Sequence, residues 1–277
     1  MMQNYSYHTH TLFSDGRNSA EEMLEQAVKC GLKEIGFSEH LVVHKNFHQS
    51  PSWPKLKEYH GFHIYRTDFA EAATAFIAYK QEIAKLAKKY PLRIFVGAEV
   101  DFFTYDGWLE EFMNFRSRTK LDYYITGNHF LFSESCDYPI DADELIKFVP
   151  QKERQKTYLR RHFLTIARAA ETKLFNFVAH IDYMRRVTGC NDNSFMTEKE
   201  YLLQTLAKNN IPAEVSTKGI RKNGSCYPAS ILLQKMRQLN IPVLISDDAH
   251  HISELTQDFS VAESLLQRMN YNNRWKL

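Results

Sequence analysis

The sequence has few cysteines, no long apolar run and almost no excess charge, and each of these absences excludes a class of protein. The four cysteines (30, 136, 190 and 226) lie far apart and form no C-x-x-C pair, which argues against a disulfide scaffold and a thiolate zinc site. No run reaches the ~18 apolar residues of a membrane span, and no cationic start precedes an apolar core at the N-terminus. We therefore expect a cytoplasmic protein with reduced thiols and no membrane partner.

The charges nearly cancel. Lys and Arg number 35 and Asp and Glu number 33, so the formal net charge is only +2. Because this leaves no basic excess for the backbone of a nucleic acid, we do not expect a nucleic-acid partner. Hydrophobic residues make up 44% and charged residues 25%, as in ordinary globular proteins. We expect residues 1–277 to form a single domain, with the oligomeric state left open.

Short β-rich runs alternate with stretches of helical periodicity, which predicts a mainly parallel sheet covered by helices. The seven runs span residues 5–11, 34–38, 93–100, 122–127, 175–179, 212–216 and 242–246. Helices are predicted over 19–31, 68–90 and 154–171, the first with a capping box formed by Ser19 and Glu22. Both a (β/α)7 barrel and an open doubly wound sheet fit this rhythm. Polar residues cluster where nearly every run ends, which favours the barrel.

Residues 44–66 interrupt the alternation. The segment is aromatic, poor in aliphatic residues and contains Pro51, Trp53 and Pro54. A loop of this length is typical either of an active-site lid or of a surface insertion. Five histidines lie outside the strand-end pattern and are predicted to be surface or lid residues: His44, His48, His60, His63 and His162.

The strand ends carry residues that bind metal ions. His8 and His10 form an H-x-H on the first strand, where alternation places both rings on one face, about 6–7 Å apart. Seven further candidate ligands follow, nearly all at the ends of the strands: Asp15, His40, Glu99, His129, His180, Asp248 and His250. Nine ligands are too many for one tetrahedral ion, so we expect two or three divalent metals, with Glu99 as the bridge. Imidazole and carboxylate without thiolate suit zinc, iron or manganese.

Such a cluster favours hydrolysis of phosphate esters, because paired metals can hold phosphate oxygens and activate a water. An amidohydrolase also uses an H-x-H site in a barrel and stays open as an alternative. Basic residues predicted on the same face favour phosphate: Arg154, Arg160, Arg161, Arg185, Arg186, Arg221 and Lys222.

Together, these motifs resemble the polymerase-and-histidinol-phosphatase (PHP) superfamily, and their order and spacing resemble its histidinol-phosphate phosphatases. The motifs are His8-Thr9-His10, Asp15-Gly16, Ser38-Glu39-His40, Gly97-Ala98-Glu99, Gly127-Asn128-His129, Ala179-His180 and Ser246-Asp247-Asp248-Ala249-His250. An additional acid, Asp247, precedes the last motif, and Asp248 keeps the D-x-H spacing to His250. The segment from Ser216 to Lys222 resembles the same subgroup more loosely.

The resemblance implies a distorted (β/α)7 barrel of the TIM-like kind, with a trinuclear metal site at its C-terminal mouth. It implies one metal on His8, His10, Glu99 and Asp248, a second on Glu99, His129 and His180, and a third on Asp15, His40 and His250. The implied reaction converts L-histidinol phosphate to L-histidinol and phosphate, a late step of histidine biosynthesis.

Further roles follow from the same reading. Candidates to bind the phosphoryl group are Arg160, Arg221 and Lys222. Asp248 or His251 would protonate the leaving alkoxide. Glu99 would bridge the metals. Glu214 and Asp247 are candidates to contact the substrate amine. Three alternatives stay open: a nuclease or proofreading domain, a phosphatase for phosphoproteins or other small phosphoesters, and a non-catalytic metal-binding module.

Overall fold

The computed structural model describes residues 3–59, 64–132, 137–186 and 193–277. The predictions for Cys136, Cys190, His60 and His63 lie outside these residues. Ten strands lie within the described ranges: β1 (Tyr5–Thr9), β2 (Glu34–Val43), β3 (Tyr65–Arg66), β4 (Arg93–Val100), β5 (Tyr123–Thr126), β6 (Phe130–Leu131), β7 (Ile140–Asp141), β8 (Phe177–Val178), β9 (Ala213–Ser216) and β10 (Val243–Ser246).

Seven of these strands form a parallel sheet in the order β1-β2-β4-β5-β8-β9-β10. The first and last strands meet through a parallel bridge between Thr9 and Ala249, where the His10 amide donates to the Ala249 carbonyl at 2.9 Å. The sheet is therefore nearly closed, which confirms the predicted (β/α)7 barrel over the open sheet. Each predicted run contains one barrel strand. That residues 1–277 form one domain stays a prediction.

Ten α-helices lie in the same part of the chain: α1 (Ala20–Lys29), α2 (Trp53–Tyr59), α3 (Phe69–Leu86), α4 (Trp108–Thr119), α5 (Leu145–Phe148), α6 (Lys152–Glu171), α7 (Met196–Asn209), α8 (Lys218–Asn223), α9 (Ser230–Gln238) and α10 (Phe259–Arg268). None of the helices that the structure describes has the length and apolarity needed to cross a bilayer.

Helix α1 begins and ends as its sequence predicts. The Ser19 side chain accepts from the Glu22 amide, and the Glu22 carboxylate accepts from the Ser19 amide, so the capping box is present. Cys30 follows the last turn, and Gly31 adopts a left-handed φ of +74°. Glycine enters this region at little cost, so it ends helices well.

The ends of the first two strands differ from the prediction. The first strand ends at Thr9 rather than at residue 11, after an irregularity in its pairing with β2. The second strand continues to Val43 rather than ending at Ser38, because it pairs with β4 over eight residues and with β3 at its end. His40 consequently lies inside β2 and not beyond it.

The N-terminal end of the barrel is filled by side chains. Tyr7, Tyr123, Phe177 and Leu244 are fully buried there, and the Tyr123 hydroxyl donates to the Tyr7 carbonyl at 2.9 Å. A Cβ added to Gly97 would lie 2.5 Å from the Tyr123 ring, so this glycine makes room for the tyrosine. These side chains fill the interior at this end, and the cavity described below lies at the opposite, C-terminal mouth.

Part of the 44–66 segment forms a wall of that mouth. It contains a 3₁₀ turn over Phe47–Gln49, helix α2 and strand β3. Lys55, Leu56, Ile64 and Tyr65 line the cavity above the barrel. Whether the segment opens and closes as a lid stays a prediction.

Two histidines predicted at the surface or in the lid are buried instead. His44 is 5% and His162 is 4% exposed. His44 packs edge-on between Phe103 and Tyr105, and His162 lies on the inner face of α6 beside Phe163. Burial lowers the pKa of His44 to about 4 and that of His162 to about 3, so both are neutral core residues.

Candidate metal centre

The nine histidines and carboxylates singled out from the sequence meet at the C-terminal mouth of the barrel. The parallel strands all point the same way, so residues at their carboxyl ends converge on one opening. The nine side chains come from β1 and the loop after it, from β2 and β4, and from the ends of β5, β8 and β10: His8, His10, Asp15, His40, Glu99, His129, His180, Asp248 and His250.

Glu99 occupies the centre of this cluster and is fully buried. Its Oε2 lies 3.2 Å from His8 Nε2, 3.4 Å from His10 Nε2 and 3.2 Å from His40 Nδ1. The three histidines lie in or directly after β1 and β2, the two strands that precede β4 in the sheet. One carboxylate oxygen therefore faces three imidazoles.

The other oxygen of Glu99 faces the opposite side. Its Oε1 lies 2.9 Å from His180 Nε2 and 3.8 Å from His129 Nε2. A Cβ on Gly127 would lie 2.1 Å from this oxygen, so the main chain after β5 passes directly against the carboxylate. The two oxygens are thus shared between two groups of histidines, as a bridging ligand requires.

Asp248 approaches the cluster from β10. Its Oδ1 lies 3.6 Å from His8 Nε2 and 3.4 Å from His10 Nε2, and its Oδ2 lies 2.9 Å from the Lys218 ammonium. Burial alone would raise the pKa of Asp248, but Lys218 and the neighbouring histidines hold it well below its usual range. Asp248 and His180 both adopt positive φ, +47° and +21°, a strain that the surrounding barrel maintains at a site of this kind.

A third group surrounds Asp15. Its Oδ1 lies 3.4 Å from His40 Nε2 and its Oδ2 lies 3.2 Å from His250 Nε2, while His10 Nδ1 lies 3.9 Å from Oδ1. The loop that carries Asp15 is held by Glu39, a fully buried carboxylate that accepts from the Thr11 hydroxyl at 2.6 Å.

These distances fit metal coordination better than hydrogen bonding. Two ligand atoms about 2.1 Å from one ion lie about 3.0–3.4 Å apart in octahedral or tetrahedral geometry. Several of the atoms that face the cluster are buried and have no hydrogen-bond partner among the described residues: His8 Nε2, both ring nitrogens of His10, His40 Nδ1, Glu99 Oε2, Asp15 Oδ1 and Asp248 Oδ1. A buried polar atom without a partner is costly, so this donor set fits bound cations.

Groups of three or four donors lie within reach of one ion each. They are His10, Asp15, His40 and His250; His8, His10 and Asp248; His8, Glu99 and His180; and His40, Glu99 and His129. The grouping differs from the sequence-based sets. His8, His10 and His40 each belong to two groups, and His129 and His180 fall in different groups.

Two carboxylates that the sequence did not single out as orienting groups hold the candidate ligands from behind. Glu214 accepts from His8 Nδ1 at 2.6 Å and from the His180 amide at 2.8 Å. Asp101 accepts from the His129 amide at 2.6 Å and lies 3.2 Å from His129 Nδ1. With Nδ1 donating to a carboxylate, Nε2 of each ring carries its lone pair toward the cluster.

The two candidates for the substrate amine do not face the cavity. Glu214 is fully buried behind His8. Asp247 is also fully buried and accepts from the Ser6 hydroxyl at 2.9 Å and the Thr256 amide at 2.6 Å. Both assignments are wrong, because each carboxylate is buried away from the cavity and already accepts hydrogen bonds from its neighbours.

A cavity of about 440 Å³ opens above the cluster. Helix α8 contributes three cations to its wall: Lys218, Arg221 and Lys222. Arg221 is anchored by donating to the Asp247 carbonyl at 2.7 Å. Lys218 was not singled out from the sequence. Its signal was its place two residues after β9, at the same edge where the other strands carry candidate ligands.

The structure does not bring Arg160 or His251 to the cluster. Arg160 is 60% exposed on α6 and pairs with Glu198 at 3.4 Å. His251 caps the 3₁₀ turn Ile252–Glu254, where its Nδ1 lies 2.8 Å from the Ser253 hydroxyl. Neither residue is among those that line the cavity.

Comparison with known proteins agrees with this architecture. A search of curated proteins finds no match. Among solved structures, a protein assigned as the histidinol phosphatase HisK of Listeria monocytogenes is 19% identical, with a TM-score of 0.71 over 93% of this chain and 99% of that one. The histidinol phosphate phosphatase HisK of Lactococcus lactis, solved with zinc, L-histidinol and phosphate, is 18% identical, with a TM-score of 0.69 over 98% of this chain and 95% of that one. At these identities, the likeness shows a shared fold.

The sequence also matches the PHP domain family over residues 6–218, well over half of its length. The matched region contains seven of the nine clustered donors and ends at Lys218. Family, fold and donor cluster together support a metal-dependent phosphoesterase. The chain belongs to the PHP domain family.

Proposed function

We propose that the protein is a metal-dependent phosphomonoesterase that hydrolyses L-histidinol phosphate to L-histidinol and phosphate, in the cytoplasm and as a step of histidine biosynthesis. The observation that carries the chemistry is the nine-donor cluster at the floor of a cavity whose wall holds three cations of α8. The choice of substrate is supported by the likeness to the Lactococcus lactis phosphatase, which was solved with L-histidinol and phosphate.

The donors would hold up to three divalent ions, with zinc, iron or manganese as the candidates. The sets that the family resemblance implies would be His8, His10, Glu99 and Asp248; Glu99, His129 and His180; and Asp15, His40 and His250. When bound, such ions lower the pKa of water and polarise phosphoryl oxygens.

The chain's own cations would bind the phosphoryl group. Arg221 is held by the Asp247 carbonyl and presents its remaining donors to the cavity. Lys218 reaches Asp248 at the edge of the cluster, and Lys222 adds a more exposed charge. Groups fixed before the substrate arrives stabilise charge that develops on the phosphoryl oxygens without having to reorganise.

Neither candidate for the acid that protonates the leaving oxygen is well placed for that role. His251 lies outside the cavity. Asp248 is held as a carboxylate by Lys218, which suits a ligand better than a proton donor. We therefore assign no catalytic or phosphate-binding role to His251 or Arg160. Lys218 is assigned to the edge of the phosphoryl site.

The proposal is tested by phosphate release from four substrates by the purified, metal-loaded protein. We expect kcat/KM for L-histidinol phosphate to exceed the values for p-nitrophenyl phosphate and phosphotyrosine by at least about 100-fold, with no cleavage of single-stranded DNA. Chelation should abolish the activity. Cleavage of another substrate in preference to histidinol phosphate would overturn the substrate assignment, and no activity on any phosphoester would overturn the reaction itself.

A second prediction concerns Glu214. In Glu214→Gln, the amide NH₂ replaces an oxygen that accepts from the His180 amide or from His8 Nδ1, so two donors face each other. We expect metal affinity to fall about 10- to 100-fold, the usual effect of losing a partner that orients a ligand. The measurement is a titration against a metal buffer. Glu153→Gln, an exposed residue of α6, serves as the matched control. Unchanged affinity in Glu214→Gln would contradict the assigned role of His8.

A further inference from the structure

Asp15 reaches the metal cluster from a loop, at some distance from the strand that precedes it. It lies six residues beyond the end of β1. The other eight candidate ligands lie within a strand or no more than four residues after one. Asp15 also belongs to a single group of donors, which it forms with His10, His40 and His250. The position of this carboxylate therefore depends on the contacts that fix the loop.

Glu39 accepts four hydrogen bonds beside this loop. Its Oε1 accepts from the Thr11 hydroxyl at 2.6 Å and from the Tyr79 hydroxyl at 2.6 Å. Its Oε2 accepts from the Thr11 amide at 3.2 Å and from the Ser14 hydroxyl. The carboxylate is fully buried. Three of the four bonds hold residues of the loop, and the fourth joins the same carboxylate to α3.

Thr11 extends this anchoring to both sides of Asp15. Its carbonyl accepts from the Ser14 amide at 3.0 Å and from the Gly16 amide at 3.0 Å. These two residues flank Asp15 in the sequence. The main chain on either side of the Asp15 carboxylate is thus fixed relative to Thr11, and Thr11 is fixed by Glu39.

Glu39 and its neighbour His40 have different roles, although both lie in β2. Successive side chains of a strand point to opposite faces. His40 belongs to two donor groups and lies 3.4 Å from Asp15 Oδ1, measured from its Nε2. Glu39 belongs to none of the donor groups found among the described residues. One strand therefore supplies a ligand on one face and the anchor of a second ligand on the other.

We propose that Glu39 is a positioning residue for the ion held by Asp15, His40 and His250, and that it sets the affinity of this site separately from the sites around Glu99. The inference rests on the metal cluster of the proposed function and not on the identity of the substrate. Loss of the anchor frees the loop that carries Asp15, whereas the ligands carried by strands keep their backbone hydrogen bonds.

The experiment titrates the metal-free protein with Zn²⁺ against a metal buffer and resolves the binding steps, with elemental analysis of the stoichiometry. Asp15→Ala is the reference, because it removes a ligand that belongs to one donor group only, so the step that it weakens identifies this site. In Glu39→Gln a single oxygen remains, and two of the four donors lose their acceptor. We expect the same step to weaken about 10- to 100-fold and the other steps to stay unchanged.

Two further variants support this comparison. Glu34→Gln is the matched control, since Glu34 is a buried carboxylate at the other end of β2 that accepts from the Tyr7 hydroxyl, and it should leave every step unchanged. Tyr79→Phe removes one of the four donors to Glu39 from α3, a helix that contributes no candidate ligand. We expect it to weaken the same step by a smaller factor, and it provides the test if Glu39→Gln does not fold.

The double variant Asp15→Ala/Glu39→Gln determines whether Glu39 acts through Asp15. We expect its remaining steps to match those of Asp15→Ala alone, because two changes that act through one group are not additive. A further loss in the double variant, equal weakening of every step in Glu39→Gln, or unchanged binding in both Glu39→Gln and Tyr79→Phe overturns the inference. If Asp15→Ala changes no step, the inference fails while the proposed hydrolysis is untouched. The titration uses no substrate, so failure of the substrate assignment leaves the inference standing.

Discussion

Glu99→Ala is expected to abolish phosphate release and to lower the metal content of the purified protein. Glu99 lies between two groups of histidines, with Oε2 3.2 Å from His8 Nε2 and Oε1 2.9 Å from His180 Nε2. Its loss removes ligands from two candidate ions together. Metal ions supply several kcal/mol of transition-state stabilisation, so we expect kcat/KM to fall by at least about 10³-fold.

The measurement pairs steady-state phosphate release with elemental analysis of the same sample. Glu153→Ala removes a carboxylate of equal size from the exposed face of α6, and it should keep both activity and metal. Circular dichroism establishes that the Glu99 variant is folded. A folded Glu99→Ala protein with full metal content and full activity would exclude the bridging role.

Gly127→Ala should inactivate the enzyme through a single methyl group. The added Cβ would lie 2.1 Å from Glu99 Oε1 and 2.7 Å from His180 Cε1, so both side chains must move. Gly127 is not among the glycines with positive φ, so alanine brings no backbone strain of its own. Because a displacement of about 1 Å at an active site can cost 10²-fold in rate, we expect at least that loss in kcat.

Gly31→Ala is the matched control for this substitution. Gly31 has a φ of +74°, and nothing lies within 4 Å of an added Cβ. Alanine there should cost about 1 kcal/mol of stability and leave kcat unchanged, since the strain is in the backbone at the end of α1. The two variants therefore separate steric displacement at the cluster from general destabilisation. Full activity of Gly127→Ala would mean that Glu99 and His180 do not adopt the geometry described above.

Much of the fold could be predicted because its signals are local. A buried parallel strand appears as a short apolar run, and a helix shows its period and its caps within a few residues. The capping box of Ser19 and Glu22 is an example, and it was found at the predicted place. The limits of β2 were missed because its last residues are paired by β3, a two-residue strand with no signal of its own.

The candidate donors could also be recognised in the sequence, because each lies in or near the end of an apolar run and the ends of parallel strands converge. Their roles depended on neighbours far away in the sequence. The sequence suggests that Glu214 contacts a substrate, whereas in the structure its Oε1 lies 2.6 Å from Nδ1 of His8, 206 residues away in the sequence. Arg160 lies on the predicted helix but pairs with Glu198 on α7. The periodicity of a helix does not indicate which neighbouring element each of its faces will contact.

The sequence by itself determined the alternation of strands and helices, the number of barrel strands and the set of residues able to bind metal, since each depends on residues a few positions apart. Only the tertiary structure decided which oxygen of Glu99 faces which histidine and that Lys218 reaches Asp248. These relations depend on the register between neighbouring strands and on the closure of β1 against β10. Contacts across a barrel join residues far apart in the chain, so no local pattern records them.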